Sequence, residues 1–443
     1  MSLPKIPVAC VQPGAHNRDD FETAWPRIVT LTNEAGKRGA RLIVLPEGTV
    51  PGYVLGMQPV PSEQLARAAD DVRTLARRYD AVIVYGGAKI VAGRTFNAAI
   101  CVGPSGDELG YAAKQFLWHF DRRWFAAGDT LQPIETPLGT LGVLVCADGR
   151  IPTIAGTLVE RGAGMLVMPT AWVTSGRDPA ALENMQADLM ANVRAYENRV
   201  PFVVANKSGI ELESVAYCGK SAIIDAGGAF VARGTERGEE IVFGEVELAA
   251  PRGPDAARKR SRERLSAAAA AAPDTGAARA RIAFTPATKP ADTARFAAAA
   301  DVADCDLLLS SADVEGRAET MLERAGVRFA AVSDETMRDP AGLTGARMDG
   351  VDLFVWTTAA DDPWTVRIAR TRAAELRAFV LVFESDTRSF AVDPEGVVVA
   401  GTVDSFRMAS FVYDRARARA TTVAPTTDVL AGLRVAEAIR TRA

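Results

Sequence analysis

A chain of 443 residues, 48% hydrophobic and 24% charged, is too long for one ordinary domain and predicts two or three with sizeable cores. Its formal net charge of −4 argues against a phosphate-backbone binder, and no apolar run approaches the roughly 18 residues that a membrane span needs. Five scattered cysteines without a CxxC, and only two histidines, point away from a disulfide framework or a zinc site and toward a reducing, cytoplasmic setting.

In chain order, the first part alternates strands and helices. The opening residues, MSLPKIPVACVQP, lack the pattern of a signal peptide, and 8–11 read as a short strand. Helical spacing over 25–38 places Ile28, Leu31 and Ala35 on one face. A buried strand at 41–45, an amphipathic helix at 62–78 and strands at 81–86 and 96–102 follow. Residues 141–145 form a strand, 152–161 a helix, 164–168 a strand, 180–197 a helix and 201–206 a strand. A hairpin over 220–225 and 230–232 turns at Gly227-Gly228, and 241–248 closes the region. Such alternation with apolar strands predicts an α/β fold with sheets covered by helices. Residues 251–280 differ: they are basic, then run through six alanines to Pro273, and read as a linker or a fading helix.

Residues 281–443 repeat the first part in shortened form. Residues 333–340 (SDETMRDP) match 145–152 (VCADGRIP), with Arg338 over Arg150 and Pro340 over Pro152. Arg372, Glu375 and Arg377 match Arg194, Glu197 and Arg199, and Ser389, Asp393 and Gly396 match Ser221, Asp225 and Gly228. On this alignment Cys146 becomes Asp334 and Glu47 becomes Ala312, so the second copy lacks the groups that carry chemistry in the first.

Those groups stand at or near the ends of apolar runs: Glu47 in 42–47 (LIVLPE), Lys114 in 114–118 (KQFLW) and Cys146 in 143–152 (VLVCADGRIP). A thiol beside a general base and a cation is the minimum equipment for attack on an unactivated carbonyl or nitrile carbon. A strand end that turns tightly into a helix leaves the thiol at a sheet edge among backbone N–H groups.

The order Glu, Lys, Cys and these local contexts resemble the nitrilase superfamily of carbon–nitrogen hydrolases over about residues 5–250. The resemblance implies an α-β-β-α four-layer sandwich over 1–250, with 281–443 a truncated duplicate. It implies Glu47 as base, Cys146 as nucleophile, and Lys114 with the Ala147 backbone N–H as oxyanion contacts, with Lys114 also holding the thiolate. Asp121, in 120–128 (FDRRWFAAG), falls where the family often carries a second glutamate, one methylene longer. Tyr53, Trp118, Arg150 and Trp172 are candidate pocket walls. No cofactor or metal is expected.

The expected reaction is hydrolysis of a non-peptide C–N bond in a small amide or N-carbamoyl compound through a thioester. Ala147-Asp148 after the cysteine, in place of the Trp-Glu usual in true nitrilases, favours an amide over a nitrile. The alternatives are nitrile hydrolysis, acyl transfer to an amine, and a non-catalytic scaffold. The expected partner is a small molecule, not a nucleic acid or a membrane. Family members commonly dimerise, so a homo-oligomer, or a pseudo-dimer of the two copies within one chain, is also expected.

Overall fold

The computed structural model describes residues 5–174, 180–250, 263–265, 267–269, 277–286, 304–358, 362–384, 388–402 and 408–442. It divides into two compact units: Met1–Gly253 with Ala424–Thr427 and Val435–Ala443, and Pro254–Val423 with Asp428–Arg434. Most of the expected linker at 251–280 lies outside the described residues, although 263–265 and 267–269 are helical. Among the described residues no helix is long and apolar enough to cross a membrane.

The strands of the first unit are β1 (Lys5–Gln12), β2 (Leu42–Val44), β3 (Val82–Val91), β4 (Arg94–Val102), β5 (Glu108–Ala113), β6 (Ile134–Thr136) and β7 (Gly139–Val143). They continue with β8 (Met165–Pro169), β9 (Phe202–Ala205), β10 (Ser208–Glu211), β11 (Val215–Cys218), β12 (Ala222–Ile224), β13 (Phe230–Arg233) and β14 (Glu240–Glu247). Two six-stranded sheets result, in the orders β14-β1-β2-β3-β4-β5 and β13-β12-β9-β8-β7-β6. The central strands β1, β2 and β3 are parallel, as are β7, β8 and β9, and antiparallel strands flank both sets.

The central strands read as unbroken apolar runs because both of their faces are buried. Ala9, Val11, Ile43 and Ile83 share a core with α1 (Phe21–Lys37) and α2 (Ser62–Tyr79). The intervening residues face the second sheet, where the Cys10 thiol donates to the Ala222 carbonyl at 3.7 Å. On the outside of that second sheet lie α3 (Pro152–Glu160) and α4 (Ala191–Asn198). Four layers follow: helix, sheet, sheet, helix.

The helix expected over 180–197 starts later, at Met185. The Asn184 side chain accepts from the Gln186 and Ala187 N–H groups at 2.9 and 3.2 Å, so it caps a first turn that propensity alone extends backward. That turn, Gln186–Met190, is wound as a π-helix before α4.

The second unit contains β15 (Arg279–Thr285), β16 (Leu307–Ser310), β17 (Thr320–Arg324), β18 (Val327–Val332) and β19 (Leu353–Thr357). Next come β20 (Phe379–Phe383), β21 (Ser389–Val392), β22 (Val398–Gly401) and β23 (Ala409–Asp414). They form a three-stranded sheet, β16-β15-β23, and a six-stranded sheet, β17-β18-β19-β20-β21-β22. The two sheets share one core containing Phe284, Phe329, Phe379 and Phe411.

In the first unit Arg194 is fully buried; its Nε donates to the Gly149 carbonyl at 3.0 Å and its Nη1 to Glu197 at 2.6 Å. It thus ties α4 to the turn that carries Cys146. Replacing Arg194 with Met removes the guanidinium from a buried carboxylate, so the first unit should lose about 3–5 kcal/mol of stability. Denaturant unfolding of the full-length protein, followed by fluorescence, measures that loss.

Candidate active site

Glu47 lies just past β2, where the chain leaves the first sheet, and it is fully buried. Its backbone passes so close to β3 that a Cβ on Gly86 would stand 2.4 Å from the Glu47 Cα, so only glycine fits there. Lys114 follows β5 directly and is also fully buried, with its Nζ 2.7 Å from Glu47 Oε1 and 2.6 Å from Asp121 Oδ2. Asn97, on β4, donates to the same Oε1 at 2.7 Å. Glu47 Oε2 has no hydrogen-bond partner although it is buried.

Burial works against the Lys114 charge, but Asp121 and Glu47 outweigh it and hold the ammonium well above its ordinary value. Asp121 is in turn fixed by the Trp118 N–H at 2.9 Å and the Tyr53 hydroxyl at 3.2 Å. The one-methylene shortening at this position therefore does not break the contact with Lys114.

Cys146 opens a tight turn, Cys146–Arg150, at the end of the strand segment that begins with β7. Its φ is +46°, a left-handed conformation that a side chain adopts only where its surroundings enforce it. Ala147 follows it, equally buried. The enforcing group is Asp148, whose carboxylate accepts from the Val145, Gln115 and Phe116 N–H groups at 3.1, 3.0 and 2.8 Å. One side chain thus joins the turn that opens at Cys146 to the loop beginning at Lys114.

Burial pushes the Cys146 thiol far above its ordinary range, and the Glu47 charge pushes the same way. Lys114, the Thr170 hydroxyl and the Ala171 backbone amide pull back without reversing the shift. Among the influences that favour the thiolate, Lys114 is the largest, so the carboxylate and ammonium neighbours act on the thiol in opposite directions.

Of the candidate pocket residues, Tyr53 is buried in a cluster with Ala171, Tyr217 and Phe120. Its ring centroid lies 5.8 Å from the ammonium groups of both Lys114 and Lys207. Trp118 lies under the Arg150 guanidinium, 5.4 Å from its ring centroid. Trp172 is fully buried; its backbone N–H donates to Asn206 at 2.9 Å, and its indole Nε1 has no hydrogen-bond partner.

Sequence reasoning missed Asn97, Thr170 and Lys207. Two of them carried a legible signal: Asn97 is a polar residue inside an apolar strand, and Lys207 directly follows the fully apolar β9 and Asn206. It also missed a contact from the far end of the chain within this unit. The His119 N–H donates to Thr427 Oγ1 at 2.7 Å, and the Thr426 hydroxyl donates to the His119 carbonyl at 2.8 Å. The loop bearing Asp121 is thereby pinned from outside.

Residues 7–252 match the family model described as carbon–nitrogen hydrolase. A probable nitrilase of Schizosaccharomyces pombe is 29% identical over 252 residues, covering 55% of this chain and 89% of that protein. An (R)-stereoselective amidase of a Pseudomonas species is 31% identical over 239 residues, covering 52% of this chain and 81% of that protein. Among solved structures, an amidase from Nesterenkonia sp. superposes with a TM-score of 0.51 at 22% identity, over 58% of this chain and 95% of that one, a likeness of fold.

Burial raises the Asp148 carboxyl to about 6, against the pull of its three N–H donors and Lys114. The folded state therefore binds a proton between about pH 4 and 6 that the unfolded chain does not, and this contribution to stability grows as pH falls through that window. The wild type should gain about 2 kcal/mol relative to Asp148→Asn between pH 7 and pH 4.5. Parallel denaturant titrations of both proteins at the two pH values measure the difference.

Proposed function

The chain belongs to the carbon–nitrogen hydrolase family over residues 7–252, and from that premise we propose that it hydrolyses the C–N bond of a small aliphatic amide through a thioester on Cys146. The observation that carries the mechanism is the division of labour on Glu47. Oε1 is saturated by Lys114 and Asn97, while Oε2 is buried and unpartnered. A buried carboxylate oxygen without a donor is an open proton acceptor.

In this reading Cys146 gives its proton to Glu47 Oε2 as the sulfur attacks the carbonyl carbon. The C=O pair becomes an oxyanion, which the Lys114 ammonium and the Ala147 N–H stabilise. Glu47 returns the proton to the nitrogen, the C–N bond breaks and ammonia leaves. Glu47 then deprotonates water, which attacks the thioester; the acid is released and the thiol regains its proton. Asp121 holds Lys114, and Tyr53, Trp118, Arg150 and Trp172 bound the acyl group.

An amide is preferred to a nitrile because Ala147-Asp148 follows the cysteine, and an amidase stands among the relatives. The Arg150 guanidinium stacks on Trp118, which disfavours its use as a clamp for the carboxylate of an N-carbamoyl amino acid. A reducing compartment, the cytoplasm, suits a mechanism that needs a free thiol.

The second unit reads as a degenerate copy of the same fold. Supporting this, its six-stranded sheet repeats the parallel and antiparallel pairings of the sheet β13-β12-β9-β8-β7-β6. The register break between Ala391 and Val392 falls at the sequence match of the one between Ile223 and Ile224. Arg372 Nε donates to the Met337 carbonyl at 2.9 Å and its Nη1 to Glu375 at 2.6 Å, the pattern of Arg194 with Gly149 and Glu197. Asp334, at the position of Cys146, accepts from the Trp356 indole at 2.7 Å and offers no nucleophile.

Ammonia release from a panel of small amides, N-carbamoyl amino acids and nitriles tests the reaction. Cys146→Ala should abolish release, and Glu47→Gln should lower kcat on the order of 10²–10⁴-fold, the usual contribution of a general base. Release that persists in Cys146→Ala would sink the thioester mechanism.

A further inference from the structure

The mechanism above leaves one buried cation unused. Lys207 is 1% exposed and follows β9 and Asn206, at the same sheet end as Thr170. Its Nζ lies 3.2 Å from the Gly48 carbonyl, the residue after Glu47, and 3.7 Å from Glu211 Oε2. The remaining contacts are aromatic: Nζ stands 4.9 Å from the Tyr217 ring centroid and 5.8 Å from that of Tyr53.

This arrangement is poor as a structural ion pair. Glu211 is already engaged by the Tyr217 hydroxyl at 2.6 Å and the Val54 N–H at 2.8 Å, and the lysine reaches it only at a separation too long for a hydrogen bond. A buried ammonium so loosely held is destabilising unless its charge is used elsewhere. The hydrogen bond it does make is to the backbone of the residue next to Glu47. Tyr53 stands between Lys207 and Lys114, with its hydroxyl on Asp121.

We infer that Lys207 is a positioning residue of the active site: it grips the Gly48 carbonyl to hold Glu47 in place, and its charge favours the developing negative charge on Cys146 sulfur and substrate oxygen. This rests on the hydrolase reading given above. The electrostatics agree. Burial lowers the Lys207 pKa, whereas Glu211, Glu47 and Cys146 act to raise it, so the coupling between Lys207 and the reacting groups runs both ways. The other charged or titratable groups around it are His16, Tyr53 and Tyr217, and burial followed by the Lys207 charge keeps His16 neutral, with its pKa at about 4.

Three variants of the full-length protein test this: Lys207→Met, Lys207→Arg, and the double variant Lys207→Met with Glu211→Gln, which leaves no unpaired buried charge. Two quantities are read, amide-hydrolysis kcat and KM, and the rate at which 2-chloroacetamide alkylates Cys146 at pH 7. The expected result is a fall of about tenfold or more in kcat, with KM within about threefold, and a fall of about tenfold in alkylation. Both falls should appear in Lys207→Met and in the double variant, with partial recovery in Lys207→Arg. Wild-type rates in the double variant would show that Lys207 merely neutralises Glu211 and would overturn the inference. Because alkylation is read on the thiol itself, it decides the role of Lys207 even where no amide is turned over. Persistent activity in Cys146→Ala would instead strike the hydrolase reading.

Discussion

The arrangement of Glu47, Lys114 and Asp121, three charged side chains without exposure to water, sets the terms for everything around it. One ammonium between two carboxylates leaves an excess negative charge in the interior, and an unpaired buried charge is destabilising by several kcal/mol. The first unit meets this with donors: Asn97 on Glu47, and Trp118 N–H and Tyr53 hydroxyl on Asp121. These donors come from different loops and strands, so the sheets must be in register before the charges are compensated. One oxygen of the cluster, Glu47 Oε2, has no donor, and it is the one that the proposed mechanism uses as proton acceptor.

Asp148 plays the corresponding part for the backbone. Its carboxylate gathers three N–H groups from the segments that carry Cys146 and Lys114, and so ties those two segments together. The left-handed Cys146 is the result of that grip. Backbone strain of this kind costs about 1–3 kcal/mol and persists only where neighbouring contacts over-determine it. Arg194 adds a second hold by bonding the Gly149 carbonyl from α4.

How much of this could be read in the chain follows from the range of each interaction. Lys114 follows the mixed strand β5 and stood out by the motif context of 114–118, whereas Glu47 and Cys146 stood out because each ends an apolar run, where a strand delivers its last side chain to a sheet edge. The central strands were legible for the same reason. Short strands such as β5, β6, β10 and β11 were not, because polar and apolar residues mix in them without a clear period. The start of the helix before α4 was misplaced because Asn184 caps it, and a cap competes locally with a propensity that extends further back. The partners of Asn97 and Lys207, and the Thr427 contact to His119, lie 50 to 308 residues away along the chain, so no local pattern encodes those pairings. A lysine near the thiol is visible in sequence order, but the degree of burial that pushes the thiol the other way is not.

The upward push on the Cys146 thiol bears on the reaction proposed above. In a site that stores a thiolate, the sulfur is reactive toward any electrophile or oxidant that reaches it. Here desolvation and the Glu47 charge favour the proton on sulfur, so in the proposed mechanism nucleophilicity grows as that proton moves to Glu47. Moving it does not change the net charge of the cluster; it shifts negative charge from carboxylate to sulfur and then to the oxygen of the substrate. Lys114 already binds the Glu47 and Asp121 carboxylates at rest, so in the proposed mechanism it contributes only as far as it favours charge on the substrate oxygen over charge on Glu47. Lys114 is bonded to Glu47 Oε1 rather than to Oε2, and Lys207 to the backbone next to Glu47 rather than to its carboxylate. Neither cation therefore occupies Oε2, the oxygen that the proposed mechanism uses as proton acceptor.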